Sequence, residues 1–137
     1  MSALSLHILL ADDNYAYSVL LQKALTDRGH DTVICNSGDE TIGCLEKDRF
    51  DVVLLDFRME GTNGINVLQW MYGKKMDVPV IMITGFGSDE LFEEAYKWGA
   101  TEYYTKGEMD AIRLPVLVEQ VYRRSKQAKK GLGTGSL

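Results

Sequence analysis

Five short apolar runs alternate with five longer amphipathic segments along the chain, and this order restricts the fold more than any other feature. Three of the runs are apolar without alternation, which is typical of strands that are covered on both faces. Strict alternation of strands and helices predicts right-handed βαβ crossovers and a parallel sheet with helices on both faces. The predicted strands lie at 6–11, 31–35, 51–55, 79–84 and 101–105.

The segments between the strands carry helix patterns with recognisable ends. Gly29 and Gly99 follow two of these segments as stop signals. Ser37 and Glu40 stand three residues apart, which is the spacing of a capping box. The predicted helices lie at 15–28, 37–47, 65–72, 89–98 and 115–126.

The 137 residues are enough for one compact domain, which we expect over 1–126. The remainder, 127–137, ends in a glycine-rich stretch and is expected to be a linker or flexible tail. The basic run 123–130 and an acidic body of net charge −10 over 1–122 together give the chain its net charge of −5. An acidic body is a poor partner for nucleic acid and suits a bound cation, so we expect no direct nucleic-acid contact.

Hydropathy and cysteine usage indicate a cytoplasmic protein. The longest apolar runs are four or five residues, far short of a membrane span, and the first residues lack the basic start of a signal peptide. Cys35 and Cys44 lack a short metal-type spacing and are expected to be thiols in a reducing compartment.

Polar side chains stand where the predicted strands end. Asp12 and Asp13 follow the first strand, Asp56 the third, Thr84 ends the fourth and Lys106 follows the fifth. The carboxyl ends of parallel strands meet at one edge of a sheet, where α/β proteins bind their ligands. We therefore expect three carboxylates, a hydroxyl and an ammonium group to converge there.

This set of groups predicts phosphoryl-transfer chemistry. Clustered carboxylates repel each other unless a hard cation such as Mg²⁺ binds them. A cation, Lys106 and Thr84 could together neutralise the oxygens of a phosphoryl group. Asp56 ends the most hydrophobic strand and is the predicted nucleophile, giving an aspartyl phosphate.

The motifs in this order resemble the receiver domain of two-component response regulators, over about 6–124. Each motif alone is weak, but together at the right strand ends they are specific. They are 10-LADDN-14, 54-LLDFRMEGTNG-64, 82-MITGFG-87 and 99-GATEYYTKGE-108. The resemblance implies the flavodoxin-like (βα)5 doubly wound fold, an α/β fold with a five-stranded parallel sheet in the order 2-1-3-4-5.

The resemblance also implies roles for the acidic residues. Asp56 would accept a phosphoryl group from a histidine kinase. Asp13 would bind Mg²⁺ directly, Asp12 would orient metal-bound water, and the backbone carbonyl of Arg58 would be a further ligand. Mn²⁺ could replace Mg²⁺.

The remaining site residues would read out the phosphorylated state. Lys106 would pair with the phosphoryl group, Thr84 would move to hydrogen-bond it, and the Tyr103 ring would follow Thr84. Gly85 would leave space for access, and a bulky Phe86 would shield the acyl phosphate from water. Phosphorylation would then bias a surface formed by the fourth helix, fifth strand and fifth helix.

For activity and partners, the resemblance implies self-phosphorylation and slow autophosphatase activity rather than classical turnover. The expected partners are a sensor histidine kinase or phosphotransfer protein, an output domain or downstream partner, and a second copy of the chain through that switch surface. The 106-KGEMD-110 stretch resembles receivers that are fused to sensor kinases or other signalling modules.

Two positions depart from the receiver pattern, which commonly has proline at both. Gly107 follows Lys106 where receivers usually have a cis proline, and a cis bond before a non-proline residue costs about 2.5–4 kcal/mol. The loop therefore has either a strained cis Lys106–Gly107 bond or a different trans path, and we favour the trans path because glycine permits unusual dihedrals. Glu60 adds a carboxylate four residues after Asp56, as either a solvated loop acid or a group that adjusts metal affinity.

Three other functions stay open at this point. A phosphatase of the haloacid dehalogenase type needs a second aspartate where this chain has Arg58. A flavin-binding module needs a phosphate-cradling loop after the first strand, where 12-DDNYAYS-18 is acidic. A receiver that only binds partners, without phosphorylation, is the third alternative.

Overall fold

The computed structural model describes residues 4–85 and 87–135, with side chains described up to Lys129. Strands and helices alternate over this range, as the sequence predicts, with every strand within one residue of its predicted bounds. The strands are β1 (His7–Ala11), β2 (Asp31–Cys35), β3 (Val52–Leu55), β4 (Val80–Thr84) and β5 (Glu102–Thr105). The helices are α1 (Tyr15–Asp27), α2 (Gly38–Lys47), α3 (Gly64–Gly73), α4 (Asp89–Lys97) and α5 (Leu114–Gly135).

The five strands form one parallel sheet in the order β2-β1-β3-β4-β5, so the expected flavodoxin-like fold is confirmed. The chain winds outward in both directions from β1 and β3, which pair with Ala11 beside Leu55. Asp56 continues this pairing, since its N–H donates to the carbonyl of Ala11 at 2.9 Å. The two strands that carry the predicted carboxylates are therefore direct neighbours at the point where the strand order reverses, the usual ligand site of such sheets.

The core has two halves, one on each face of the sheet. Alternate residues of a strand point to opposite faces, so Leu9 packs with one half and Leu10 with the other. Helices α2, α3 and α4 cover the first half, and α1 and α5 cover the second. Every residue of β3 and β4 is buried, which explains why these strands lack polar alternation.

Side-chain caps fix the starts of four helices. Asn14, Ser37, Asn63 and Ser88 each accept a hydrogen bond from a backbone N–H in the first turn. In the predicted capping box, the Ser37 side chain accepts the hydrogen bond from the backbone N–H of Glu40. The reciprocal pair of bonds occurs instead at Asn63 and Asn66, which the sequence reading missed.

Helix α5 continues to Gly135, beyond the predicted end at Lys126. Residues 127–135 are therefore helical, and the expectation that 127–137 is a linker or flexible tail stays a prediction, since a helical segment can serve as a linker. The part of the expectation that falls on 136–137 lies outside the described residues, and the domain boundary at 126 stays a prediction. None of the described helices is both long and apolar enough to cross a membrane.

Candidate functional site

Three carboxylates converge at the carboxyl edge of the sheet. Asp12 and Asp13 follow β1, Asp56 follows β3, and one oxygen from each lies within 4.8 Å of the others. Asp12 and Asp56 are buried, whereas Asp13 is exposed to solvent. An all-oxygen set with one exposed member suits Mg²⁺, which binds a few carboxylates and keeps several waters.

Asp56 is the most enclosed of the three, with 4% of its surface exposed. Burial raises its pKa from 3.8 to about 6, and the nearby Asp12 carboxylate adds to the rise, while Lys106 and the Thr84 hydroxyl oppose it. Its Oδ1 is buried and accepts no hydrogen bond from the described residues. A buried carboxylate oxygen of this kind costs free energy unless a cation or donor meets it, so the donor set fits a bound divalent cation.

Lys106 supplies a positive charge from β5. Its Nζ lies 2.8 Å from Asp12 Oδ2 and 3.5 Å from Asp56 Oδ2. Burial lowers the pKa of Lys106, but its hydrogen bond to Asp12 and the charges of both carboxylates raise it more, so the pKa is raised overall. The ammonium group therefore stays protonated between the two buried carboxylates and offsets their repulsion.

The backbone around Lys106 ties β5 to β4. The Lys106 N–H donates to the carbonyl of Thr84 at 2.8 Å. No peptide bond in residues 4–85 and 87–135 is cis, so the Lys106–Gly107 bond is trans, as favoured from the sequence. The substitution of glycine for the usual proline therefore leaves Lys106 in the acidic site.

Thr84 and Gly85 lie on the side of the site nearest β4. Thr84 is fully buried, and its hydroxyl hydrogen bond lowers the pKa of Asp56. A Cβ at Gly85 would lie 3.6 Å from Cδ of Lys106, so Gly85 borders the lysine stem. Phe86, the other predicted access residue, lies outside the described residues.

Tyr103 lies on the α4 face of β5, one strand away from the acidic cluster. Its ring packs edge-on against Phe92 of α4, with ring centroids 5.4 Å apart. Its hydroxyl points toward Gly87, where a Cβ would lie 3.4 Å from the oxygen. Tyr103 thus lies between the loop after Thr84 and helix α4, and its switch role stays a prediction.

The loop after β3 holds the two remaining candidates. Glu60 forms an isolated backbone bridge with Ser37 and is exposed, and it is not among the three clustered acids. The described structure therefore favours the solvated-acid interpretation of Glu60. The ligand role of the Arg58 carbonyl oxygen stays a prediction.

Two residues of the site were missed by the sequence reading. The N–H of Asn14 donates to Asp12 Oδ1 at 2.9 Å and fixes that carboxylate. The ring of Tyr17 lies under Lys106, with Nζ 4.5 Å from the ring centroid. An aromatic residue in the first turn of the helix that follows two aspartates was the available signal for Tyr17.

Comparison with known proteins gives one consistent result. A family model described as the response regulator receiver domain matches residues 8–118. The chain is 31% identical over 107 residues to sporulation initiation phosphotransferase F of Bacillus subtilis (strain 168), covering 77% of this chain and 86% of that protein. It is 32% identical over 102 residues to transcriptional regulatory protein ZraR of Escherichia coli (strain K12), covering 74% of this chain but only 23% of that protein.

A solved structure shares the fold of this chain. The receiver domain of the Francisella response regulator 1452 superposes with a TM-score of 0.82 and 26% identity, covering 88% of this chain and 99% of that one. The family match over 8–118 therefore includes all four motifs at the strand ends.

Proposed function

The chain belongs to the response regulator receiver domain family, and from this membership we propose that Asp56 accepts a phosphoryl group in a Mg²⁺-dependent reaction. The observation that carries the proposal is the position of Asp56. It lies buried at the end of a central strand, with two other carboxylates within 4.8 Å and the Lys106 ammonium at 3.5 Å. A carboxylate so placed can be both a nucleophile and a metal ligand.

The proposed transfer uses each residue for one task. A carboxylate oxygen of Asp56 attacks the phosphorus atom of a phosphohistidine, the P–N bond breaks, and the imidazole leaves with the bonding electron pair. Lys106 pairs with a phosphoryl oxygen, and the Thr84 hydroxyl donates to another. Catalysis then rests mainly on positioning and charge neutralisation.

Asp13, Asp56 and the carbonyl of Arg58 would hold the Mg²⁺, and Asp12 would orient a metal-bound water. When bound, the cation would neutralise the charge that builds up on the transferring phosphoryl group. Mn²⁺ offers the same preference for oxygen ligands and would substitute for it.

The proposed output is a change at the surface formed by α4, β5 and α5. Movement of Thr84 toward the phosphoryl group would free space into which the Tyr103 ring can turn. Tyr103 contacts Phe92, and Phe92 contacts Tyr96 with ring centroids 4.7 Å apart, so a rotation would change the exposed face of α4. This coupling gives phosphorylation a route to a binding surface.

The proposed partners follow from the same function. A sensor histidine kinase or phosphotransfer protein would supply the phosphoryl group, and a second copy of the chain or an output module would bind the switched surface. The chain spans about a quarter of ZraR, so an output domain on the same polypeptide is part of the proposal. We place the protein in the cytoplasm, where histidine kinases act.

The rival functions find less support in these residues. Arg58 stands where a phosphatase of the haloacid dehalogenase type needs its second aspartate, so the acid that would protonate a leaving alcohol is missing from that position. Asp12 and Asp13 would repel the phosphate of a flavin. Slow hydrolysis of the phosphorylated domain itself remains part of the proposal.

Intact mass after incubation with acetyl phosphate and Mg²⁺ tests the proposal. We expect the wild type to gain one phosphoryl group, and Asp56→Asn or chelation of the cation to abolish the gain. Asp77→Asn is the matched control, because Asp77 is an exposed aspartate away from the acidic cluster. Equal labelling of wild type and Asp56→Asn, or none of wild type with any phosphodonor, would contradict the assignment.

A further inference from the structure

The two cysteines of the chain meet between the sheet and helix α2. Cys35 ends β2 and Cys44 lies in α2, and their Sγ atoms are 3.1 Å apart. Both are free thiols. Cys35 is completely buried, whereas Cys44 is partly exposed.

We propose that Cys35 and Cys44 are a modification site, at which a peroxide-class oxidant forms a reversible intramolecular disulfide. A disulfide needs the sulfur atoms about 2.05 Å apart, so an approach of about 1 Å is required. The side chains come from a strand end and from the middle of a helix that packs on it, and rotation about their Cα–Cβ bonds can supply this approach. The disulfide can therefore form without a change in secondary structure.

The difference in exposure sets the order of the steps. Burial raises the pKa of the Cys35 thiol, so Cys44 is the sulfur that meets the oxidant. The Cys44 thiolate attacks a peroxide oxygen, the O–O bond breaks, and Cys44 becomes a sulfenic acid. The Cys35 sulfur then attacks that sulfur, the S–O bond breaks, and water leaves with the proton of Cys35. The two thiols lose two electrons, which the peroxide gains.

The disulfide would fasten α2 to β2 next to the acidic cluster. The carbonyl of Cys35 accepts the N–H of Asp12 at 3.0 Å, so the bond would brace the strand end that holds this carboxylate. Reducing conditions in a cytoplasm keep such a pair as thiols until an oxidant is present. Oxidation of the pair would therefore increase the stability of α2.

Oxidation followed by mass and thiol measurement tests this proposal without any phosphorylation assay. After hydrogen peroxide treatment of the whole chain, we expect the intact mass to fall by two hydrogen atoms and both thiols to disappear. The midpoint of urea unfolding should rise, and dithiothreitol should reverse each change. Cys35→Ser and Cys44→Ser should show none of these reversible changes. Retention of both thiols, oxidation beyond the sulfenic acid on either sulfur, or mainly intermolecular dimers would overturn the proposal.

An independent observation concerns Tyr17, the first-turn aromatic residue of α1. Its ring carries the Lys106 ammonium at 4.5 Å, while the same ammonium contacts Asp12 and approaches Asp56. The ring is half-buried, and its hydroxyl is enclosed. A cation over an aromatic face is attracted to it, and more strongly where water is excluded.

The geometry points to Tyr17 as a positioning residue that holds the Lys106 ammonium over the acidic site; this inference rests on the proposed phosphoryl transfer. The lysine stem is long and flexible, so the backbone bond to Thr84 leaves its direction open, and Asp12 and the Tyr17 ring hold the ammonium at its end. The ring supports the ammonium from the side of α1, opposite the β4 residues that border its stem. Tyr17 acts through Lys106 and does not itself contact the phosphoryl group.

Two substitutions at Tyr17 distinguish the contribution of the ring from that of the hydroxyl. Tyr17→Leu removes the aromatic face, and we expect about a two- to thirtyfold slower labelling by acetyl phosphate, the range that a cation–π contact supplies. Tyr17→Phe keeps the face and should label at nearly the wild-type rate. Tyr15→Leu is the matched control, since Tyr15 lies in the same helical turn but is 63% exposed.

Two further measurements separate positioning from a general structural effect. In a Lys106→Met background, Tyr17→Leu should cause no additional loss of rate. In nuclear magnetic resonance spectra, the Lys106 ε-methylene protons should show a ring-current shift that Tyr17→Leu abolishes and Tyr15→Leu preserves. Equal labelling rates of wild type and Tyr17→Leu would overturn the inference. So would a rate loss from Tyr17→Leu that is as large in the Lys106→Met background as in the wild type, or the absence of a ring-current shift. A wild type that never labels would instead contradict the proposed function.

Discussion

Asp56 carries a carboxylate into the least accessible part of the acidic site, where burial and Asp12 both oppose its ionisation. The Lys106 ammonium offsets part of this cost, as a shared counter-ion for the two buried aspartates. The metal-free protein therefore holds Asp56, the proposed acceptor, in a destabilised, charged state near neutral pH. Binding of a cation or transfer of a phosphoryl group would relieve that state.

Asp56→Asn should make the metal-free protein more stable at pH 8. The folded pKa of about 6 lies above the ordinary value of 3.8, so the folded state binds more protons between these values. The contribution of Asp56 to stability is thus present below about pH 4 and is lost as the pH rises through 6. We expect Asn to add about 1–3 kcal/mol at pH 8 and much less at pH 4, measured by urea unfolding with a chelator.

Asp77→Asn serves as the control for this comparison, because its carboxylate is exposed. A gain from Asp56→Asn that is the same at both pH values would contradict the predicted burial of the charge.

His7 should also contribute most to stability at low pH, but here the contribution comes from a favourable charge pairing. Burial lowers its pKa, but hydrogen bonds to Asp48 and Asp31 raise it more, so the pKa lies above 6.5 in the folded state. A raised histidine pKa stabilises the fold below the unfolded value, and this stability is lost as the pH rises through the folded pKa. We expect His7→Gln to lower the urea midpoint more at pH 6 than at pH 9. A loss that does not change with pH would mean that stacking on Phe50 is the main role of His7.

At the scale of elements, the contact between the β3 end and the start of α3 positions Asp56, the proposed acceptor. The Gly64 N–H donates to the carbonyl of Phe57 at 2.9 Å, and Asn63 caps the helix. A Cβ at Gly64 would overlap the backbone carbonyl of Asp56. Helix α3 can approach the strand end this closely only because residue 64 has no side chain.

Gly64→Ala should therefore destabilise the protein and displace Asp56, the proposed acceptor. Overpacking of this kind costs about 1–3 kcal/mol, and a shift of the Asp56 backbone should slow labelling by acetyl phosphate. Gly73→Ala is the matched control at the other end of α3, because a Cβ there meets no atom within 4 Å. Urea unfolding and the labelling rate check both variants. A Gly64→Ala protein with wild-type stability and rate would show that the loop yields at little cost.

At the scale of the whole molecule, the doubly wound sheet brings together groups that are far apart in sequence. Asp12, Asp56 and Lys106 come from three strands, and their contacts exist only when the order β1-β3-β4-β5 is complete. Unfolding therefore destroys the proposed cation site, which links metal binding to global stability.

Mg²⁺ should raise the free energy of unfolding of the wild type. A ligand at one hundred times its dissociation constant adds about 2.7 kcal/mol when it binds only the folded state. Asp13→Asn should remove this gain and leave the metal-free stability nearly unchanged, because Asp13 is exposed. Thermal unfolding with Mg²⁺ or a chelator measures both effects. A Mg²⁺-dependent gain that Asp13→Asn retains would place the cation elsewhere.

The sequence by itself determined the order of the elements and the residues at the strand ends. Hydrophobic periodicity and helix stop signals are local, so they place β1 to β5 and the starts of α1 to α5 to within a residue or two. The alternation then implies a parallel sheet, and a parallel sheet gathers the strand-end side chains Asp12, Asp56 and Lys106 at one edge. The strand order itself came from the resemblance to receivers.

The tertiary structure alone decided how those side chains meet. The raised pKa of Asp56, the ring of Tyr17 under Lys106 and the contact of Cys35 with Cys44 all depend on distances between separate elements. Burial and electrostatic interaction are properties of packed neighbours, and a linear pattern carries the spacing of residues along the chain but not their separation in space.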